Sequence, residues 1–324
     1  MLRTAILDDY QNVALKMADW RPLEGKARLT AFHDHIDDRD EDRLVERLSP
    51  FECIVVMRER TALRRSVLQR LPALRLIVTT GAVNASIDMQ AAAEIGIRVC
   101  GTRSIPHATS ELTWALILAL VRRIPQESAA MRAGQWQTGV GGKLLGDTLA
   151  ILGPGRIGAR VAQIGKAFGM KVIGWSQNLT PERAESIGVE LVSKAQLFER
   201  ADVLTIHLAL SDRTRGIVST AEFARMKPSA YLVNTARGPI IDEAALVEAL
   251  RDGRIAGAAI DVFEHEPLPM DHPLRTLERV LLTPHIGYVT EETYRAYFPD
   301  VVEDICSWLE GGAVRPLNEP AQAR

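Results

Sequence analysis

Apolar and polar positions alternate along this chain in two patterns that recur from one end to the other. Short runs of apolar, often β-branched residues predict strands, and segments with apolar residues every three to four positions predict helices. The predicted strands cover residues 4–7, 53–57, 74–79, 148–152, 171–175, 203–208, 231–234, 257–261 and 280–283. The clearest predicted helices cover residues 110–123, 156–168, 243–251 and 291–309. Strands that alternate with helices form parallel sheets covered on both faces, so the pattern predicts an α/β fold.

One predicted helix is apolar on almost every side. Its sequence, SELTWALILALVRR, spans residues 110–123. A helix without a broad polar face is typical of a position between two domains or across a dimer interface. Trp136, a little further on, is predicted to be a packing anchor.

Length and charge narrow the class of protein. A chain of 324 residues is long enough for two domains. With 39 Lys and Arg against 41 Asp and Glu, the net charge is −2. Such a chain has no net positive field that would attract nucleic acid or an acidic membrane. Two aspartates occur within the first ten residues and no long uncharged apolar run follows, so neither a signal peptide nor a membrane span is predicted.

The cysteine pattern indicates a reducing compartment. Cys53, Cys100 and Cys306 are an odd number of widely spaced residues without a C-x-x-C pair. This spacing predicts neither a disulfide framework nor a thiolate zinc site, and no metal site is predicted elsewhere. We therefore expect a cytoplasmic protein.

A glycine-rich turn lies between the predicted strand 148–152 and the predicted helix 156–168. The order strand, G-x-G-x-x-G and helix is the context of a dinucleotide site. Gly153 permits the tight turn, Gly155 lets backbone N–H groups approach a pyrophosphate, and Gly158 lets helix and strand pack closely. The candidate cofactor residues of this turn are Gly153, Pro154, Gly155, Arg156, Ile157 and Gly158.

The next strand, KVIGW, is followed by Ser176 where such sites normally carry an acidic residue that repels a 2′-phosphate. Ser176, Asn178, Thr180 or Arg183 would therefore be able to contact that phosphate. Arg183 is equally explained as a solvated residue at the start of a helix. The sequence favours NADP slightly and leaves NAD open.

Polar residues follow three later strands, where ligands bind in open α/β sheets. These are Arg237 in NTARG, the acids of DVFEHEP, and His285 in TPHIG. A guanidinium can bind a carboxylate and polarise a neighbouring carbonyl. A histidine beside a carboxylate can give the carbonyl oxygen a proton as hydride arrives. The set indicates reduction of a 2-oxo acid.

The position of the glycine-rich turn in mid-chain predicts the architecture. We expect two doubly wound parallel-sheet domains: a dinucleotide-binding Rossmann domain at 101–285, inserted into a flavodoxin-like substrate domain made of 1–100 and 286–324. The substrate would bind in the cleft between them. The alternative is one continuous sheet of nine or more strands.

The motifs GPGRIG, NTARG, DVFEHEP, HPL and TPHIG, in this order, resemble those of the NAD(P)-dependent D-isomer-specific 2-hydroxyacid dehydrogenases, and the likeness runs from about residue 74 to 309. The resemblance implies that Arg237 binds substrate, that His285 is the general acid/base, and that Glu266, rather than Glu264, pairs with it. It further implies a homodimer. The residues that it implies around the nicotinamide are Thr235, Ala236 and Asp261.

The chain departs from the family pattern at several positions. TTGAVNASID at 79–88 replaces a loop whose N–H groups usually hold the substrate carboxylate; Ala82 and Val83 would take this role. HLA at 207–209 replaces H-x-P, and Tyr288 stands where a smaller residue is usual. Arg58, which follows a strand, is a candidate contact for an anionic substrate. His107, in RSIPH, either lines the cleft or lies at the surface or in the core.

Three functions fit these features. The leading hypothesis is an oxidoreductase that transfers hydride between NAD(P)H and a small 2-oxo acid of the glyoxylate or hydroxypyruvate type. The alternatives are a dehydrogenase of the 3-phosphoglycerate type, and an NAD(P)-sensing binding protein that resembles the corepressors of this fold.

Overall fold

The computed structural model describes residues 1–105 and 107–321. Within them the chain divides into two compact units, with residues 1–105 and 289–321 in unit 1 and residues 107–288 in unit 2. Pro106 and the last three residues of the predicted 286–324 segment lie outside the described residues. Which unit binds cofactor and which binds substrate stays a prediction here.

Twelve strands run through the described residues. They are β1 (Leu2–Ile6), β2 (Ala27–Ala31), β3 (Cys53–Val56), β4 (Leu76–Thr79), β5 (Arg98–Gly101), β6 (Thr148–Leu152), β7 (Lys171–Trp175), β8 (Glu190–Leu191), β9 (Val203–Ile206), β10 (Tyr231–Asn234), β11 (Gly257–Ile260) and β12 (Val280–Leu282).

Eleven α-helices connect or follow these strands in the described part of the chain. They are α1 (Glu41–Leu48), α2 (Arg65–Leu68), α3 (Met89–Ile95), α4 (His107–Val121), α5 (Ile124–Arg132), α6 (Arg156–Ala167), α7 (Pro181–Ser186), α8 (Lys194–Arg200), α9 (Thr220–Phe223), α10 (Glu243–Arg251) and α11 (Glu291–Leu309). Short 3-10 helices cover Ala14–Lys16, Arg21–Leu23, Gly238–Ile240 and Pro273–Thr276.

Unit 1 contains a five-stranded parallel sheet in the order β2-β1-β3-β4-β5. This is the strand order of flavodoxin-like folds, whose ligands bind where the order reverses, beside β1 and β3. Strands β3 and β4 are buried along their whole length, as the apolar runs CIVV and LIVT require in a sheet covered on both faces.

Unit 2 contains a seven-stranded parallel sheet in the order β12-β11-β10-β9-β6-β7-β8. Six of these strands follow the doubly wound order of dinucleotide-binding domains, with β12 added at the edge. The order reverses between β6 and β9, directly behind the glycine-rich turn. Helices α4 and α6 pack on one face of the sheet, and α8, α9 and α10 pack on the other.

The α/β fold class is confirmed, and the single continuous sheet is wrong because β5 and β6 belong to different sheets. Helices α10 and α11 occupy the predicted ranges. Both begin where a side chain caps the first turn: Asp242 accepts the N–H of Ala245, and Thr290 accepts that of Thr293. None of the described helices is long and apolar enough to cross a membrane.

One helix and one side chain can be compared with their predicted packing. Helix α4 buries Trp114, Ile117 and Val121 against the sheet of unit 2 itself, so much of its apolar surface packs within its own unit. Trp136 is 73% exposed instead of packed, because it lies in an irregular loop within the exposed stretch 131–143.

Candidate active site

The glycine-rich turn after β6 has the three features expected of its glycines. Gly153 adopts φ +93°, and a Cβ there would lie 2.8 Å from the backbone nitrogen of Leu208. A Cβ on Gly158 would lie 2.7 Å from the carbonyl oxygen of Gly153, so helix and turn pack with no room for a side chain. Gly155 has no protein atom within 4 Å of its Cβ position, so its backbone is open to a ligand.

The other predicted residues of this turn surround the same opening. Pro154 is buried, Ile157 is half-buried, and Arg156 is exposed as the first residue of α6. No side chain caps this end of α6, so its first N–H groups keep their capacity to bind an anion.

The end of β7 carries no acidic residue in the predicted ribose position. Ser176 follows Trp175 directly and is half-buried, while Asn178 is exposed two residues further on. Between them, Gln177 donates to the carbonyl oxygen of Arg213 at 3.3 Å. The segment 176–178 after β7 is therefore polar and carries no charged side chain.

A buried asparagine shapes the turn after β10. Asn234 accepts the N–H of Ala236 at 3.0 Å and donates to the carbonyl oxygen of Arg237 at 3.1 Å. Its side chain is the local hydrogen-bonding partner that a turn after a buried strand needs. The hydroxyl of Thr235 lies 2.9 Å from that of Thr113 in α4. Sequence reasoning placed Asn234 in the motif but assigned it no role.

His285 and Glu266 are brought together by the loops after β12 and β11. Nδ1 of His285 lies 2.6 Å from Oε2 of Glu266, and Oε1 of Glu266 accepts the N–H of Phe263 at 2.9 Å. His285 adopts φ +52°, a left-handed conformation that is strained for a residue with a side chain. Its N–H donates to the carbonyl oxygen of Asp261 at 2.8 Å, which helps to hold that conformation.

Asp261 builds the loop that carries His285. Its buried carboxylate accepts the hydroxyl of Thr283 at 2.6 Å and the N–H groups of Ile286 and Gly287 at 2.9 Å each. These hydrogen bonds offset the cost of burying the carboxylate. Sequence reasoning missed this role, although an acid at the end of an apolar strand is a signal that several donors surround it.

The pKa values of the two carboxylates of the site are shifted in opposite directions. Burial raises the pKa of Asp261, and its hydrogen-bond donors offset this only in part. Burial also acts to raise the pKa of Glu266, but the hydrogen bond and charge of His285, the N–H of Phe263 and the charge of Arg237 hold it below its usual value. Glu266 is therefore the anionic partner of the imidazole at neutral pH.

Glu264, the other acid of the motif, does not take part in this pair. It is exposed, and its backbone N–H donates to Oε2 of Glu243 at 3.2 Å. The structure thus brings together Arg237, Glu266 and His285 within unit 2, while Arg58, Ala82 and Val83 belong to unit 1.

Within unit 1, Arg58 and the loop after β4 lie together. The guanidinium of Arg58 covers Gly81 so closely that a Cβ there would fall 1.8 Å from Nη1. Arg58 adopts φ +53°, and its carbonyl oxygen accepts Nδ2 of Asn84 at 2.6 Å. Ala82 and Val83 are exposed beside it.

Three residues in the segments that depart from the family pattern have distinct surroundings. His207 contacts Thr205 at 2.9 Å, and burial lowers its pKa to about 3, so its ring is neutral near pH 7. The ring of Tyr288 meets that of His285 edge to face, with centroids 5.8 Å apart. His107 is exposed at the start of α4.

The chain is similar to known proteins in sequence and in fold. The family profile described as "D-isomer specific 2-hydroxyacid dehydrogenase, NAD binding domain" matches residues 114–287. The chain is 42% identical to the glyoxylate reductase of Aeropyrum pernix, covering 76% of each chain. It is 43% identical to the D-3-phosphoglycerate dehydrogenase of Methanocaldococcus jannaschii over 83% of this chain, but spans only 52% of that relative's length.

A solved structure extends the likeness to nearly the whole chain. The phosphoglycerate oxidoreductase from Vibrio cholerae O395 is 40% identical, with a TM-score of 0.91, and covers 96% of this chain and 100% of its own. Together with the profile match, these relatives establish that the chain belongs to the D-isomer specific 2-hydroxyacid dehydrogenase family.

Proposed function

We propose that this chain is an NAD(P)-dependent oxidoreductase that moves hydride between the nicotinamide and a small 2-oxo acid of the glyoxylate or hydroxypyruvate type, giving the D-2-hydroxy acid. The observation that carries the proposal is the 2.6 Å contact between His285 and Glu266 in the unit that also holds Arg237 and the glycine-rich turn. An imidazole, an anionic partner and a guanidinium are the groups that this reaction requires of the protein.

The residues of the turn after β6 fit a dinucleotide. Open space at Gly155, the uncapped start of α6 and the positive φ of Gly153 form a cradle that a pyrophosphate would fill. When bound, the nicotinamide supplies or accepts the hydride. The resemblance implies that Thr235, Ala236 and Asp261 lie around its ring.

The chain's own side chains move the proton and orient the substrate. Nδ1 of His285 is engaged by Glu266, so the ring exchanges its proton with the substrate oxygen at Nε2. In the reductive direction Nε2 donates that proton, and Glu266 stabilises the imidazolium beforehand. Arg237 binds the carboxylate and polarises the carbonyl. In unit 1, Arg58 and the N–H groups of Ala82 and Val83 are the proposed contacts for the acid.

Gly155→Ala is expected to weaken cofactor binding without destabilising the fold. The new methyl group meets no protein atom, but it occupies the space that the pyrophosphate would need. We expect the Kd for reduced cofactor, measured by nicotinamide fluorescence, to rise at least tenfold, with an unchanged midpoint of thermal unfolding. An unchanged Kd would mean that the dinucleotide does not bind at this turn.

The cofactor preference that we propose is for NADP, with NAD as the alternative. Ser176 and Asn178 at the end of β7 present no carboxylate that would repel a 2′-phosphate. Comparison of kcat/KM for NADPH and NADH tests this preference. A clear advantage of NADH would contradict it.

A panel of 2-oxo acids tests the proposed function. The full chain is mixed with NADPH or NADH and each acid while the absorbance of the reduced nicotinamide is followed, and the configuration of the product is determined. We expect turnover with glyoxylate or hydroxypyruvate and a D-configured product where the product is chiral. If no acid oxidises either cofactor, the result would favour the alternative of a nucleotide-sensing binding protein.

A second candidate is oxidation of 3-phosphoglycerate. Its support is the 43% identity to the M. jannaschii relative of that name. The panel therefore includes 3-phosphohydroxypyruvate. A higher kcat/KM for this phosphorylated acid than for its unphosphorylated counterpart would favour the second candidate.

The proposed assembly is a homodimer formed through an apolar surface of unit 2. Helix α5 has no fully buried residue, and the exposed apolar residues on it and the following loop are each more than half exposed: Ile124, Met131, Trp136, Val140 and Leu145. Such a surface is typical of an interface. We expect light scattering to give twice the chain mass of 35.7 kDa, and the pair Trp136→Glu and Val140→Glu to give monomers.

The three free cysteines support the expected cytoplasmic location.

A further inference from the structure

Glu266 lies on a loop that is exposed over part of its length. The loop runs from the end of β11 to the 3-10 helix Pro273–Thr276 and exposes Glu264, His265 and Met270. Catalytic groups must be held to within a fraction of an ångström of their productive geometry. How this loop is held in place therefore affects the 2.6 Å contact of Glu266 with His285.

Glu243, the first residue of α10, contacts both arms of this loop. Its Oε2 accepts the backbone N–H of Glu264 on the outgoing arm at 3.2 Å. Its Oε1 lies 2.9 Å from Nε2 of His272 on the returning arm. Both side chains are largely buried, with 16% and 17% of their surface exposed. The carboxylate of Glu243 thus joins the two arms of the loop. One of its attachment points, Glu264, lies two residues before Glu266.

The tautomer of His272 follows from its second contact. Its Nδ1 accepts the N–H of Leu274 at 3.3 Å and so caps the 3-10 helix. Because Nδ1 accepts, the ring proton lies on Nε2, which donates to Glu243. Leu274 is buried in the core, so His272 connects the loop to a fixed part of unit 2.

We propose that Glu243 and His272 are positioning residues that act through the loop backbone to hold the Glu266 carboxylate against His285. The inference rests on the proposed function, because it assigns the pair its role through the general acid/base. Neither residue touches the His285 ring itself. Their effect on catalysis is carried by the position of Glu266.

The test compares His272→Ala, His272→Gln and the control His265→Ala. His265 is an exposed histidine of the same loop, next to Glu266. We expect His272→Ala to lower kcat about 10- to 100-fold, the scale of a misplacement of up to 1 Å, with a much smaller change in KM. His272→Gln keeps an N–H donor for Glu243 and should recover most of kcat. His265→Ala should behave like the original chain.

The pH profile gives a second readout. In the original chain the pKa of Glu266 is held below its usual value in part by His285. When the carboxylate moves away, its pKa returns upwards, so Glu266 becomes protonated at a higher pH. The acidic limb of the kcat/KM profile should therefore move to higher pH in His272→Ala and not in His265→Ala.

A third measurement does not depend on turnover. Hydrogen exchange of the Glu264 amide should accelerate in His272→Ala, because its acceptor Glu243 loses its partner. If this amide exchanges faster but the original chain reduces no 2-oxo acid, the anchor stands and the proposed function fails. If the original chain is active and His272→Ala matches His265→Ala in kcat, pH profile and exchange, the anchor is overturned. Should His272→Ala not fold, Glu243→Gln carries the same comparison.

Discussion

Replacing His285 with alanine is expected to reduce kcat by a factor of about 10² to 10⁴, the usual contribution of general acid/base proton transfer. In the proposed mechanism Nε2 of the imidazole gives the substrate oxygen its proton, and the alanine methyl cannot replace it. The Kd for NADPH or NADH should change little, because the glycine-rich turn lies on a different loop. Single-turnover measurements with saturating cofactor check the loss.

A double replacement sharpens this prediction. Glu266→Gln alone should lower kcat by a smaller factor, because a neutral amide no longer stabilises the imidazolium. In a chain that already carries His285→Ala, the same change should cost almost nothing, since the partner through which Glu266 acts is gone. Additive losses would show that Glu266 acts independently of the imidazole. Loss of cofactor binding in His285→Ala would mean that its role lies in binding instead.

The parts of the fold that follow from the sequence are those with a strong hydrophobic pattern. Strands β6, β7 and β10 and helices α10 and α11 occupy the predicted ranges because each is a pronounced apolar or amphipathic segment with a clear end. Strands β2 and β5, which were not predicted, have the sequences ARLTA and RVCG. Their arginines and small residues blur the pattern, and it is pairing with the neighbouring strands that orders them.

The candidate site, like the fold, was predicted from the sequence only in part. Local motifs predicted Arg237, His285 and the acids before Pro267 as site residues, since each lies in a short motif that follows a strand. The choice of Glu266 over Glu264 was implied only by resemblance, because two acids with one residue between them carry the same chemical information. Loop geometry separates them: one contacts His285, and the other is exposed with its backbone N–H bound to Glu243. Contacts of this kind, between residues far apart in the chain, leave no local pattern in the sequence.

Gly238, next to Arg237, is a position where one methyl group should disturb both halves of the site. A Cβ on this buried glycine would lie 2.0 Å from the carbonyl carbon of Phe263 and 2.5 Å from the nitrogen of Glu264. These are backbone atoms, so no side chain can swing aside. The Phe263 N–H also binds Glu266, so the crowded peptide belongs to the segment that positions the acid.

Gly238→Ala is therefore expected to separate the Arg237 turn from the Glu266 loop by about 1 Å and to lower kcat about 10²-fold. Overpacking should also reduce the free energy of unfolding by about 1–3 kcal/mol. Gly155→Ala is the matched control, because the same methyl group in open space should leave the unfolding midpoint unchanged and weaken only cofactor binding. Steady-state kinetics and thermal unfolding of both variants check the contrast. Native kcat and native stability in Gly238→Ala would show that the loop moves aside without cost, and that its close approach to Arg237 does not position Glu266.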